Sequence, residues 1–157
     1  MASLRSLTLI GDIGGVVGTA AMTAAMRQLH RLLPDDERYP LPPREITQRV
    51  FPASSSAATA NRTIVSHFGF GALAGALLAG AGRTRAAALG PAVWAASYLG
   101  WIPVTGILRR ATTHPWRRNA LMAGVHVVWG LVTVATTKDL LAARGSIFGS
   151  GEMRDAQ

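Results

Sequence analysis

The chain has 157 residues, the length of one domain, and is 49% hydrophobic but only 15% charged, against roughly 25% charge in ordinary soluble domains. Its net charge of +8 rests on fifteen arginines and a single lysine, a balance that in so apolar a chain suits anionic lipid headgroups rather than nucleic acid. There is no cysteine, which excludes disulfides, a thiolate nucleophile and any Cys-based metal site.

A helix needs roughly 20 mainly apolar residues to cross the hydrocarbon core. The first candidate is SLTLIGDIGGVVGTAAMTAAM, residues 6–26, interrupted only by Asp12. Arg5 ahead of it and small residues at Ala20 and Ala21 resemble a leader peptide, but the early Asp12 and the length predict a retained span. Gly11 and Gly15, and Gly14 and Gly18, are each four apart. That spacing lets helix backbones approach closely in lipid without naming the partner helix.

The first loop contains RYPLPPREITQRVFP, residues 38–52. Pro40, Pro42 and Pro43 hold the chain extended, and Pro43 suits the start of a short helix over 44–51 that Pro52 ends. Ile46, Val50 and Phe51 fall on one side of it, and Glu45 and Arg49 stand in the favourable order for an ion pair. The segment reads as an amphipathic helix at the membrane interface or capping a bundle. ASSSAATA, residues 53–60, is either a small-residue connector or an extension of the next helix.

The second span, 64–82, carries His67 as its one ionisable group, and Gly71, Gly75 and Ala79 continue the four-residue spacing. The third, 86–108, has Pro91 in its expected first turn, while Pro103 lies deeper and predicts a kink or an end near Ile102. Trp94, Tyr98 and Trp101 line one side of it, a packing face with Trp101 suited to the interfacial belt. In RRATTHPWRR, residues 109–118, Trp116 among Arg109, Arg110, Arg117 and Arg118 reads as a headgroup anchor. The fourth span, 119–137, contains His126.

These elements predict an all-α fold: a four-helix transmembrane bundle with a short amphipathic helix in the first loop. Residues 1–143 form the membrane domain and 144–157 a flexible polar tail. The competing reading is a soluble helical domain, but such helices carry a charged face, and a chain this short cannot hide four uncharged ones. Ten basic residues fall in the first and third loops and six on the other side. Loops 27–63 and 109–118 are therefore expected in the cytoplasm.

PLPPR after a Gly-rich first span, HFGFGALAGAL in the second, and HVVWG with a closing KDL in the last resemble the YagU-type family of uncharacterised bacterial multi-pass inner-membrane proteins. The likeness covers residues from about Gly11 to Leu140, and Pro42, Pro43, Arg44, His67, His126 and Trp129 match. It implies an inner-membrane location and supplies no catalytic residues.

An ionisable side chain inside a span is costly and therefore a functional candidate. At 1.5 Å per residue, His67 and His126 lie about 6 and 10 Å into spans that start on the same side. They share a leaflet with Arg44 and Glu45, while Asp12 lies in the opposite one. One reading is a polar vestibule formed by His67, His126, Arg44 and Glu45, suited to proton relay or, with Glu45, a divalent cation. The other gives each histidine one interhelical hydrogen bond and a register-fixing role. No pair of histidines has helical metal-site spacing, and no catalytic motif is present, so neither metal, cofactor nor enzymatic activity is expected. The function expected is a structural or partner-binding bundle in contact with anionic lipid. The alternative is a small oligomeric transporter or proton-linked unit using Asp12, His67 and His126.

Overall fold

The computed structural model describes residues 4–79 and 86–152, and among them every regular element is helical. Helix α1 runs Leu4–His30, α2 Pro42–Val50 and α3 Ser56–Ala79. Helix α4, Ala86–Ala95, winds on through a π-helical turn, Ala96–Trp101, and a last short turn, Ile102–Val104. Helix α5 is Trp116–Arg144. Residues 1–3, the end of the predicted second span with its loop at 80–85, and the tail beyond 152 lie outside the described residues.

Three helices, α1, α3 and α5, are long and apolar enough to cross a membrane. At 1.5 Å per residue they measure about 36–44 Å, more than the ~30 Å hydrocarbon core. Their large aliphatic side chains point outward: Leu9, Ile13, Val17, Val65, Leu73, Leu77 and Leu131 are all exposed. A core of Met22 and Met26 of α1 with Leu121, Met122, Val125 and Trp129 of α5 is buried toward one end, and elsewhere the buried residues are small. Gly11, Gly14, Gly15, Gly18 and Thr19 continue the inner face of α1 beyond Met22 and Met26, and Gly71 and Gly75 lie with Thr59 on that of α3.

The two glycine rows of α1 serve two different neighbours. A Cβ on Gly11 or Gly15 would strike the backbone of α3 at Gly75 or Gly71, and one on Gly14 or Gly18 would strike α5 at Thr133. Direct backbone contact of this kind gains dispersion energy that bulky side chains would forbid. At the far side of α5, Gly90 of α4 lies against the His126 carbonyl in the same way. The helices thus stand in the order α3, α1, α5, α4, and packing is extensive only between neighbours in that order. Among the described residues, α3 and α4 end the row without packing extensively along each other.

The ends of the elements follow their prolines and glycines. Helix α2 runs from Pro42 to Val50 rather than over 44–51, because both Pro42 and Pro43 fill first-turn positions whose N–H would be unbonded anyway. Pro91 sits inside α4 rather than in its first turn. Pro103 cannot donate to the turn before it, and that turn widens to π geometry, with Gly100 leaving helical φ/ψ altogether. Gly106, at φ 72, closes the segment while Ile107 donates to the Ile102 carbonyl. The predicted third span therefore ends at Val104 rather than 108.

The first loop is fastened to the start of α5 by Arg118. Its guanidinium donates to the carbonyls of Glu37 (2.7 Å), Tyr39 (2.9 Å) and Pro40 (2.8 Å) and stacks 3.4 Å from the Tyr39 ring centroid. Arg118 is only 3% exposed, so it is not the headgroup anchor expected of it. Three carbonyl acceptors replace the water that a buried cation loses. Arg38 binds the Leu33 carbonyl at 2.7 Å, and Arg62 caps the end of α2 at Phe51 and Pro52.

Candidate functional site

Where α3 and α4 stand apart, a cavity of about 360 Å³ remains. Its inner end is made by buried residues: Thr19 of α1, Gly71 of α3, and Met122 and Trp129 of α5. One wall is α3, through His67, Phe70 and Ala74. The opposite wall is α4 and its π turn, through Val93, Trp94, Ser97, Tyr98 and Trp101. The aromatic row read as a packing face is therefore one wall of a chamber. Helix α2 roofs it with Pro42, Pro43, Ile46 and Thr47, and Ile46 also packs on the Tyr98–Ile102–Ala111 cluster.

The mouth lies between α3 and the π turn. Phe70 and Trp101 both line the cavity, yet each is 43% exposed. Their rings face each other across the gap, 6.5 Å between centroids. Val50 and Phe51, at the end of α2, complete the rim and are likewise exposed. The opening thus faces sideways, toward the same surroundings as the outward aliphatic side chains of α3.

Both histidines read from the sequence line this chamber, His67 from α3 and His126 from α5. The Nδ1–H of His126 donates to the Met122 carbonyl at 2.7 Å. A carbonyl only accepts, so in the neutral ring Nε2 keeps its lone pair. Nε2 of His67 and the indole N–H of Trp94 are sealed from solvent and have no hydrogen-bond partner among the described residues. At the inner end the polar groups are satisfied. The Trp129 indole donates to Thr19 (3.1 Å) and to the Gly15 carbonyl (3.3 Å), and the Thr19 hydroxyl donates to Gly15 at 2.7 Å.

The rest of the expected vestibule is placed elsewhere. Arg44 is exposed on α2, and Glu45 is half-buried on it; neither lines the chamber. The helix turns its apolar residues down and leaves its charges above, as amphipathicity requires. Glu45 and Arg49 form no ion pair; the described residues hold only Arg38–Asp35 at 2.9 Å and Arg117–Glu37 at 3.4 Å. Asp12 lies near the other end of α1, away from the chamber. Among the described residues no three His, Asp or Glu side chains converge as metal ligands. The chamber is apolar, with a few polar atoms, and is not a polar vestibule.

Behind the wall, Tyr98 stacks on His114 (5.7 Å, 24°), and His114 Nδ1 shares a 3.1 Å hydrogen bond with the Tyr39 hydroxyl. Burial, and then the nearby Arg118 guanidinium, hold the His114 imidazole below its ordinary pKa of 6.5, while Glu45 opposes them. Trp116, 70% exposed with the Arg117 guanidinium 5.3 Å from its ring centroid, and Arg109 and Arg110, also exposed, do occupy the outer surface.

Sequence reasoning missed Thr19, Met122 and Ser97 as chamber residues. Thr19 had a local signal, a hydroxyl four residues after Gly15 on a glycine face. The other two had none. No known protein family, curated protein or solved structure matches this chain.

Proposed function

We propose that the chain is a multi-pass membrane protein that binds one small apolar or amphiphilic molecule, taken from the lipid, in the chamber between α3 and α4. The observation that carries this reading is the chamber itself. It is about 360 Å³ in volume, walled by aromatic and aliphatic side chains, and opens beside an outward aliphatic surface. Ligand cavities begin near 300 Å³, and a dry apolar cavity of about 150 Å³ already holds benzene.

The rest of the proposal places the chamber. Helices α1, α3, α4 with its π turn, and α5 form a four-helix membrane bundle. The arginines of loops 27–63 and 109–118 put the roof in the cytoplasm, against anionic headgroups. A bacterial inner membrane is the location that the YagU-type resemblance implies. The activity is binding and not catalysis. A proton path linking Asp12 to the two histidines has no chain of polar groups in its favour, because the inner end of the chamber is closed by satisfied hydrogen bonds.

The test uses the chain's own tryptophans, three of which line the chamber. The protein in lipid nanodiscs is titrated with bromoundecane, whose bromine quenches indole fluorescence on contact. Saturable quenching is expected, and Ala74→Phe, which fills the chamber, abolishes the saturable part. Quenching that rises linearly and equally in both proteins would mean that the probe meets only the outer surface.

A further inference from the structure

We infer that the molecule taken by the chamber is a single-chain amphiphile with an anionic headgroup, whose chain fills the chamber while its head rests outside the mouth on Arg62; this rests on the binding reading above. No Asp, Glu, Lys or Arg lines the cavity. A charged group drawn inside would lose its water and meet no counter-charge, which is strongly unfavourable. The walls therefore accept only the chain, and a charge carried by the same molecule stays at the rim.

Arg62 is the cation at that rim. It is exposed near the start of α3, and its Nη1 donates to the carbonyls of Phe51 and Pro52. Phe51 is itself a rim residue, so these bonds hold the guanidinium beside the opening. Ser66 and Phe70, four and eight residues further along α3, both line the chamber. Residues four apart share a helix face. Arg62, Ser66 and Phe70 therefore run down one side of α3 from outside to mouth, about 12 Å at 1.5 Å per residue. A guanidinium has five N–H donors, and neither Nε nor Nη2 of Arg62 is bonded among the described residues. Those two nitrogens form the fork that takes a carboxylate or a phosphate through paired hydrogen bonds. The two ion pairs among the described residues use Arg38 and Arg117, so no carboxylate there neutralises Arg62. Arg49, exposed in the last turn of α2, adds positive charge at the same helix end, while Glu45, the one carboxylate of α2, lies six residues before Phe51. The Ser66 hydroxyl has no hydrogen-bond partner among the described residues and stands between the place of the head and that of the chain. An anionic head gains the free fork of Arg62, and a cationic head meets only repulsion there.

The experiment uses nanodiscs of zwitterionic lipid in mildly alkaline buffer. Its four probes share an undecyl chain with bromine at the far end: a carboxylate, a phosphate monoester, a trimethylammonium and uncharged bromoundecane. Tryptophan quenching is read against the mole fraction of each probe in the lipid. An anion held at Arg62 carries its bromine inward toward Trp94 and Trp129. The anions are expected to bind roughly tenfold tighter than bromoundecane, and the ammonium more weakly than it. A preference shown by only one of the two anions supports the inference and identifies the head as carboxylate or phosphate. Arg62→Gln removes most of the preference and Arg62→Lys, which keeps the charge, retains part of it. Arg27→Gln, which removes an exposed arginine of α1 that does not line the chamber, leaves it unchanged. Bromoundecane still binds all three variants, which shows that they are folded. Equal binding of the anions and bromoundecane would overturn the inference and leave the apolar chamber standing. A preference that survives Arg62→Gln, or that falls as far in Arg27→Gln, would also overturn it, since diffuse surface charge would then be its source. Absence of saturable quenching by all four probes would remove the binding reading itself.

Discussion

At the scale of single residues, Arg118 does most to hold the roof of the chamber in place. It joins residues 37–40 to the first turn of α5, some 80 positions away in the chain. Arg118→Gln removes the planar fork that reaches three carbonyls, with an expected cost of roughly 2–4 kcal/mol in unfolding free energy. Arg118→Lys recovers only part, since an ammonium neither bridges nor stacks in that geometry. Denaturation in detergent would measure both. His114 gives a pH dependence of known sign. Its folded pKa is depressed, so the unfolded chain takes up the proton first as pH falls below about 6.5. Its contribution to stability is complete above that pH and is lost as pH falls toward the lowered folded value. The fall in melting temperature between pH 7.5 and pH 5.5 is therefore expected to be smaller in His114→Gln. None of this was legible beforehand: Arg117 and Arg118 look alike in the sequence, and only a loop folding back from far along the chain buries one and leaves the other at the surface.

Elements were more legible than their partners. The glycine spacings, the short helix after Pro42–Pro43 and the disturbance at Pro103 all follow from local stereochemistry and could be read in advance. The pairing of the rows could not. A four-residue glycine spacing says that some backbone comes close, and only the structure assigns Gly11 and Gly15 to α3 and Gly14 and Gly18 to α5. The π turn was equally hidden, because Pro103 demands a defect without choosing between a kink and a widened turn. The assignment makes a sharp prediction. Gly15→Ala places a methyl group against the Gly71 carbonyl and should cost on the order of 2 kcal/mol. Gly69→Ala, on the same helix pair but with nothing within 4 Å of the added Cβ, should be neutral or slightly stabilising. Unfolding by detergent titration distinguishes the two, and equal effects would mean that α1 and α3 do not cross where the glycines meet.

For the whole molecule, the chamber follows from the order of the helices. Close packing is spent on the α3–α1, α1–α5 and α5–α4 contacts, and the two ends of that row are left facing across a gap. That His67 and His126 lie at the same end of their helices was readable from helical rise alone. That they line one chamber was not, because it depends on which helices fail to pack. The arginine bias carries a separate prediction about orientation. With loops 27–63 and 109–118 in the cytoplasm, four spans put the end of α5 on the outer side. Alkaline phosphatase fused after Gly151 should then be active in a bacterial host, since its disulfides form only outside the cytoplasm. An inactive fusion would reverse the orientation or the number of spans.

The most direct measurement is the anomalous scattering of bromine in crystals grown from lipid with bromoundecane. The account predicts a bromine peak inside the chamber or at its mouth, between Phe70 and Trp101. Bromine found only along the outward faces of Leu73, Leu77 and Leu131 would contradict it.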